Sequence, residues 1–335
     1  MSLDLARLGP WLNLNLGLYG PFEATKFSGG QSNPTYLIEG VDRAVVLRRK
    51  PPGKLLKSAH AVDREFRVQK ALAGTDVPVA QVYTLCEDDA VIGSAFYVME
   101  RVDGRVFDDP RLGDVDKSER ARFINEMGRV LAAIHSVDLE AAGLADYGPS
   151  GNYFRRQIDR WTGQYRASET YSIKAMDALI AALDAACPDD DGRVTLVHGD
   201  YRIDNLMFDA RTPDVRAVLD WELSTLGHPF ADLAAVIMQW QMPPGEQGRG
   251  LRGVDRAAQG LVSDEEFIAA YCERMGIKGI RDFGFYVAFC FFRMGAILQG
   301  VAKRALDGNA SDPERGLRLG AFVPLYAEAG LEALG

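Results

Sequence analysis

Cysteine and histidine are scarce in this chain, with four of each among 335 residues. Cys86, Cys187, Cys272 and Cys290 stand far apart and form no C-x-x-C pair. That spacing excludes a disulfide framework and a thiolate metal centre, and fits a reducing, cytoplasmic setting. The histidines form no ligand cluster either, which argues against a zinc hydrolase. Positive charge is also in deficit. Thirty-eight Lys and Arg against 47 Asp and Glu leave a net charge of −9, so neither nucleic acid nor an anionic membrane is an expected partner. The most apolar stretch, Phe283 to Leu298, is interrupted by Arg293 and reads as a buried helix too short to span a bilayer. The opening "MSLDLARLGPWL" lacks the basic start and continuous apolar run of a secretory signal. There is no internal repeat and no low-complexity segment.

What the chain does have is length for two lobes and a change of pattern between them. Up to about residue 102 it is strand-rich. "TKFSGGQSNPTYLIEG" and "RAVVLRRK" read as a hairpin, and "PVAQVYTLCE" and "SAFYVMERV" as two further strands. Between these pairs, residues 59–73 place Val62, Phe66 and Leu72 at helical spacing. From 103 to 335 the chain is mostly helical. A long amphipathic helix covers 117–136, with Ser118 as its expected cap, and others are expected near 152–167, 172–186, 230–242, 263–275 and 283–306. The expected organisation is α+β: residues 1–102 as a small β-rich lobe, and 103–335 as a larger helical lobe holding one β-patterned island.

That island, "RVTLVHGD" to "AVLDWE", is where the polar chemistry concentrates. "TLV" and "NLMFD" look like strands pairing around a loop, and "VRAVLD" runs back beside it. The loop carries Asp200 and Asn205, and the returning strand ends at Asp220. Two carboxylates and a carboxamide are hard oxygen donors, the set that suits Mg²⁺ with phosphate oxygens and water completing its shell. As plain turn residues, Asp and Asn need no such role, but their spacing and β context favour the site.

"HGDYRIDN" has the spacing of the protein-kinase catalytic loop, H-R-D-x-x-x-x-N, with Gly199 in place of the Arg, and "LDWE" stands where kinases have D-F-G. In this the chain resembles the aminoglycoside phosphotransferase and choline-kinase-like enzymes. "GGQSNPTY", "VLRRKPPG", "HAVDREF", "FYVMERVDG" and "WELSTLGHPFADLA" look like the phosphotransferase-like domain found fused to acyl-CoA dehydrogenases. The resemblance takes in nearly the whole chain. It implies a bilobal protein-kinase-like fold, with a nucleotide-binding lobe followed by a catalytic and substrate-binding lobe. It further implies ATP and Mg²⁺ as cofactors and a small-molecule hydroxyl as phosphate acceptor.

Position by position, the resemblance makes Asp200 the catalytic base and Arg202 a clamp on the transferring phosphate. Asn205 and Asp220 would hold Mg²⁺. "FSGGQSN" would be the phosphate loop, with Gly29 and Gly30 allowing close backbone approach and Ser32 and Asn33 as further donors. Arg48 stands where kinases have the V-A-I-K lysine and would pair with Glu65, with Lys50 as the other candidate. Glu100 and Val102 would present backbone groups to adenine, and Asp232 would brace the catalytic loop. His198 would anchor that loop, whereas His60, His135 and His228 read as packing or capping residues. Glu222 is open between the metal shell and a supporting or solvated place.

Two functional classes follow. One is an ATP-dependent small-molecule kinase. The other is a catalytically silent, kinase-like nucleotide-binding module. The acceptor is not fixed by the fold. Arg249, Arg252 and Arg256 either form a solvated loop or hold an anionic tail. With the aromatic run Phe283, Phe285, Phe289 and Phe292, they suit a hydroxyacyl-CoA-like compound better than a polycationic aminosugar, while an aminoglycoside- or choline-type kinase is the alternative. The oligomeric state is open.

Overall fold

The computed structural model describes every residue except 1–2, 28–32, 52–60, 246–248 and 311. In chain order the first elements are α1 (Leu5–Leu16), β1 (Glu23–Lys26), β2 (Thr35–Glu39), β3 (Ala44–Arg49), α2 (Val62–Leu72), β4 (Val82–Cys86), α3 (Asp89–Ile92) and β5 (Phe96–Glu100). Then come α4 (Lys117–His135), α5 (Tyr153–Ser168), α6 (Lys174–Ala186), β6 (Thr195–Val197), β7 (Leu206–Phe208), β8 (Val215–Val218) and β9 (Thr225–Gly227). The chain ends with α7 (Phe230–Trp240), α8 (Arg256–Gln259), α9 (Asp264–Arg274), α10 (Phe283–Leu306), α11 (Pro313–Gly320) and α12 (Val323–Leu334).

Two compact units emerge. The first comprises Met1–Phe107, Val137–Asp146 and Asp204–Ser224, and the second Asp108–Ser136, Tyr147–Ile203 and Thr225–Gly335. The first boundary lies close to the expected one at 102, but two later segments cluster with the first unit. One of them carries Asn205 and Asp220.

The first unit is built on an antiparallel sheet of order β1-β2-β3-β5-β4. Strand alternation sorts its side chains onto two faces. Val45, Leu47, Phe96 and Val98 join Leu8 and Leu12 of α1 in one buried cluster. Tyr97, Val82 and Met99 join Val62 and Phe66 of α2 in the other. Arg48 is one step from Leu47 and pairs in register with Tyr97, so it lies on the α2 face. The hairpin β7–β8 belongs to this unit, fastened by Val218 N–H donating to Pro78 O (2.8 Å) and by a bridge between Arg105 and Phe208.

The second unit is helical around α10, which packs on α5, α6, α7, α11 and α12. At 24 residues α10 is, by length and composition, long and apolar enough to cross a membrane, unlike the shorter stretch ending at Leu298. Within the unit that apolarity is spent on packing, since Phe285, Phe289, Phe291 and Phe292 are all buried.

Two local expectations are corrected. β6 does not pair with β7 around the loop; it pairs with β9 (Leu196 opposite Leu226), while β7 pairs with β8. The cap of α4 is Asp116, whose carboxylate accepts from Ser118 N–H; Ser118 lies inside the helix.

Candidate active site

The candidate residues fall into two groups, one in each unit. In the second unit, β6 delivers His198, Gly199 and Asp200. Asp232, in the first turn of α7 and only 1% exposed, accepts the backbone N–H of His198 at 2.6 Å and of Gly199 at 2.9 Å. Gly199 has φ +84°, a left-handed conformation that costs glycine little. That geometry accounts for the Gly where kinases carry Arg. The Gly199 carbonyl in turn accepts from Arg293 Nη2 at 2.8 Å, and Arg293 lies over the Trp161 ring at 5.8 Å. His198 anchors the loop by accepting Asp200 N–H on Nδ1 (3.3 Å), and the Tyr201 hydroxyl donates to Met127 O (2.7 Å).

The turn is thus fixed from α4, α7 and α10, and Asp200 projects from it about one third exposed, 3.2 Å from Arg202 Nε. His135 lies between Tyr271 (2.7 Å) and Asp232 (3.4 Å), which makes it part of the brace beyond simple packing. Burial alone would raise the Asp232 carboxyl. The hydrogen bond and charge of His135, the charge of His198 and the Gly199 N–H outweigh it and hold the group below the usual carboxylate range. His228 packs among Phe154, Phe230 and Tyr286 and faces Asp191 at 3.3 Å.

In the first unit the centre is Arg48, 8% exposed. Its Nε stands 2.7 Å from Glu65 Oε2, and its Nη2 stands 2.6 Å from Asp220 Oδ1 and 3.8 Å from Glu222. Burial works against its charge, but Glu65, Tyr97, Asp220 and Glu222 outweigh it and leave the guanidinium pKa raised. Glu65 is itself pushed up by burial and drawn back by Arg48 and Asn33. Lys50, the other candidate cation, pairs instead with Asp63 at 3.4 Å near the surface.

Asn33 departs from its expected part. It is fully buried, and its amide donates to Glu65 Oε1 (2.5 Å) while the Tyr97 hydroxyl donates to Oε2 (3.2 Å). Its side-chain amide is thus committed to Glu65. Gly29, Gly30, Ser32 and His60 lie outside the described residues. Glu100 ends β5 with its N–H donating to Gln81 O (2.8 Å), so that amide is committed to the strand and not offered to adenine; Val102 follows, half-buried.

Asn205 directly precedes β7 and Asp220 lies two residues after β8, and the two ends of the hairpin are tied by Leu219 N–H donating to Asn205 O (2.8 Å). Asp220 has φ +61°. For a non-glycine residue that is a strained conformation of the kind found at functional sites. The donors, a carboxylate and a carboxamide oxygen flanking one hairpin, are of the kind that suits a hard divalent cation. Among the described residues no three His, Cys, Asp or Glu converge on a metal position, so protein ligands alone would leave most of a shell to phosphate and water.

Sequence reasoning missed Tyr97 beneath Glu65 and the His135–Tyr271 support of Asp232. It also missed the hold of Arg293 on Gly199, although a lone charge in an apolar helix was a visible signal.

A family model described as "Phosphotransferase enzyme family" matches residues 23–271. Acyl-CoA dehydrogenase family member 10 of Mus musculus is 50% identical over 314 residues, 93% of this chain and 29% of that protein. The chain spans less than half the length of the family member 11 and plant relatives it also matches. A crystal structure from Ralstonia eutropha, provisionally named an aminoglycoside phosphotransferase, superposes with a TM-score of 0.90 at 47% identity, covering 99% of this chain and 98% of that one. Aminoglycoside phosphotransferase APH(4)-Ia, solved with AMP-PNP and hygromycin B, shares the fold at a TM-score of 0.63 and 16% identity, covering 97% and 98% of the two chains. The catalytic-loop motif, the antiparallel sheet with its buried Arg48–Glu65 pair and these matches lead to one assignment: the chain belongs to the phosphotransferase enzyme family and has its kinase-like α+β fold.

Proposed function

We propose that the protein transfers the γ-phosphoryl group of ATP to a hydroxyl of a small molecule. The observation that carries this reading is the braced Asp200 turn, a carboxylate about one third exposed on a backbone immobilised from three helices, with Arg202 beside it. Asp200 would accept the hydroxyl proton as the oxygen attacks phosphorus. Arg202 would meet the charge spread over the phosphoryl oxygens. Arg48 would pair phosphates while Glu65 keeps it in place. Mg²⁺, when bound, would be held by Asn205 and Asp220 and would neutralise phosphate charge. Asp200 and Asn205 lie five positions apart on one continuous loop, so base and metal ligand are delivered by the same stretch of backbone. Nucleotide use is supported by the fold neighbour solved with AMP-PNP.

For the acceptor we infer a hydroxylated acyl thioester or a similar molecule with an anionic end. A cavity of about 470 Å³ in the second unit has Trp240, Leu251, Val254 and Phe291 on its walls and Arg252 and Arg256 at its edge. A cleft in which apolar side chains alternate with guanidinium groups suits an acyl chain with an anionic tail, and the matched relatives are named as acyl-CoA dehydrogenases. Arg256 is committed to Asp264 (2.6 Å) and stacks over Trp240. Arg252 pairs with Glu332 at 3.2 Å in an exposed contact that an incoming anion can displace.

A second reading, a silent nucleotide-binding module, is favoured by the Arg48–Asp220 contact, which occupies a metal ligand. ADP release from Mg·ATP separates the two when measured against hydroxyacyl-CoAs, choline-type alcohols, sugars and aminoglycosides. Acceptor-dependent turnover supports the kinase, and nucleotide binding with no turnover across the panel supports the module. If the cavity holds the acceptor, R252A should raise the acceptor KM and leave the ATP KM unchanged. Efficient phosphorylation of aminoglycosides or choline, with no acyl thioester used, would discard the acyl reading.

A further inference from the structure

We infer that Arg48 is a guard on the metal ligand Asp220, holding it closed to a divalent cation until nucleotide phosphates draw the guanidinium away; this rests on the kinase reading of the site. The argument begins with the residue type. A lysine at this position would present a compact ammonium with three rotatable donors and no planar fork. The planar Arg48 fork reaches two carboxylates on different elements at once, Glu65 of α2 at 2.7 Å and Asp220 after β8 at 2.6 Å. It also donates to Thr35 Oγ1 at 3.3 Å. Glu222 is 3.8 Å away, so three carboxylates surround one buried cation.

The two contacts differ in kind. Glu65 is 1% exposed and held by Asn33 on Oε1 and by Tyr97 on Oε2, the oxygen that also faces Arg48, so that pair is locked. Asp220 is 32% exposed, so its pair stands where solvent and ligands enter. Mg²⁺ sits about 2.0–2.1 Å from its oxygen ligands. A dication on the Asp220 carboxylate would therefore lie within a few ångströms of the Arg48 charge, and the two cations would repel. Asp220 can serve a metal well only after the guanidinium has found another anion, and the phosphates of a nucleotide are that anion. The buried Glu65 remains as counter-ion, so the guanidinium can turn without leaving its place on the sheet. Nucleotide and cation then bind with positive coupling, which is reciprocal by necessity.

The test uses Mn²⁺, whose binding to nucleotide-free protein is read directly by electron paramagnetic resonance and by calorimetry, independent of turnover. Wild type should bind Mn²⁺ weakly. R48K retains a charge beside Glu65 but lacks the planar fork that pins Asp220, so the cation displaces it more easily, and it should bind Mn²⁺ at least tenfold more tightly. Adding D220N to R48K should abolish that gain. Should R48K fail to fold, R48Q/E65Q, which removes both buried charges together, takes its place with the same expectation. Equal Mn²⁺ affinity in wild type and the Arg48 variants, or a gain that survives D220N, overturns the guard. Calorimetry of wild type with AMP-PNP judges the kinase reading separately: absence of nucleotide binding would sink that reading, whereas the Mn²⁺ comparison decides the Arg48–Asp220 competition alone.

Discussion

Replacing Asp232 with Asn is isosteric, yet it should reach the catalytic turn through two specific bonds. The carboxylate accepts His198 N–H at 2.6 Å on one oxygen and Gly199 N–H at 2.9 Å on the other, in a position 1% exposed. Hydrogen bonds to a charged group contribute about 1.5–3 kcal/mol each, neutral ones about 1 kcal/mol. The carboxamide keeps one acceptor and turns an NH₂ toward the other backbone donor. One bond becomes neutral, and one buried N–H is left facing a donor at a cost of about 1–3 kcal/mol. The expected loss is about 3 kcal/mol, large against the roughly 5–15 kcal/mol of a folded domain but compatible with folding. Because Asp200 follows Gly199 directly, relaxation of the turn moves the base. A misplacement of about 1 Å is worth some 10²-fold in rate. Urea titration followed by tryptophan fluorescence should give the stability loss, and steady-state ADP release the fall in kcat, with nucleotide affinity unchanged. A stability loss below about 1 kcal/mol together with wild-type turnover would refute the brace.

The other predictions bear on neighbouring groups. D200N should cut turnover by about 10²–10⁴-fold, the range for losing a positioned base, and leave nucleotide affinity unchanged in calorimetry; parallel losses in both would make Asp200 a metal ligand or a structural residue. D220N should remove the Mg²⁺-dependent part of nucleotide binding in a protein that stays folded, and unchanged Mg·ATP affinity would take Asp220 out of the metal site. Burial, outweighing the attraction of Asp191, lowers the pKa of His228 from 6.5. The unfolded chain therefore takes up the proton first, and the stability this neutral ring contributes is present above pH 6.5 and lost as pH falls through its folded pKa. H228Q should flatten that part of a urea-midpoint-against-pH curve, and an unchanged slope would contradict the assignment.

The H-x-D-x-x-x-x-N loop was legible because its pattern is local: its residues keep their spacing whatever surrounds them, so the motif survives reading along the chain. Long helices were legible for a related reason, since a period of 3.6 repeats often enough to be seen. The partner of Thr195–Val197 was not. Three-residue strands carry too little alternation to specify register, and its partner, Thr225–Gly227, lies about thirty residues further along the chain. Asn33 failed for another reason. Next to two glycines an Asn looks like a phosphate donor, and only the fold reveals that β2 begins two residues later, so that the side chain is fully buried against Glu65.

The arginine-bearing loop after Trp240 marks the outer limit of such reading. Within the loop the charges look uncompensated, which is what suggested an anionic ligand. Their partners lie elsewhere: Asp264 opens the next long helix, and Glu332 is 80 residues beyond Arg252 near the end of α12. Pairing of this kind is invisible along the sequence, and it divides the two arginines. Arg256, less than one fifth exposed and fixed by both Asp264 and Trp240, shapes the cavity edge. Arg252 and Glu332 are more than half exposed, and surface pairs of that kind contribute only about 0–1 kcal/mol. On the acceptor proposed above, an anionic tail exchanging Glu332 for itself at Arg252 would give up little, and R252A is the substitution that tests that proposal through the acceptor KM.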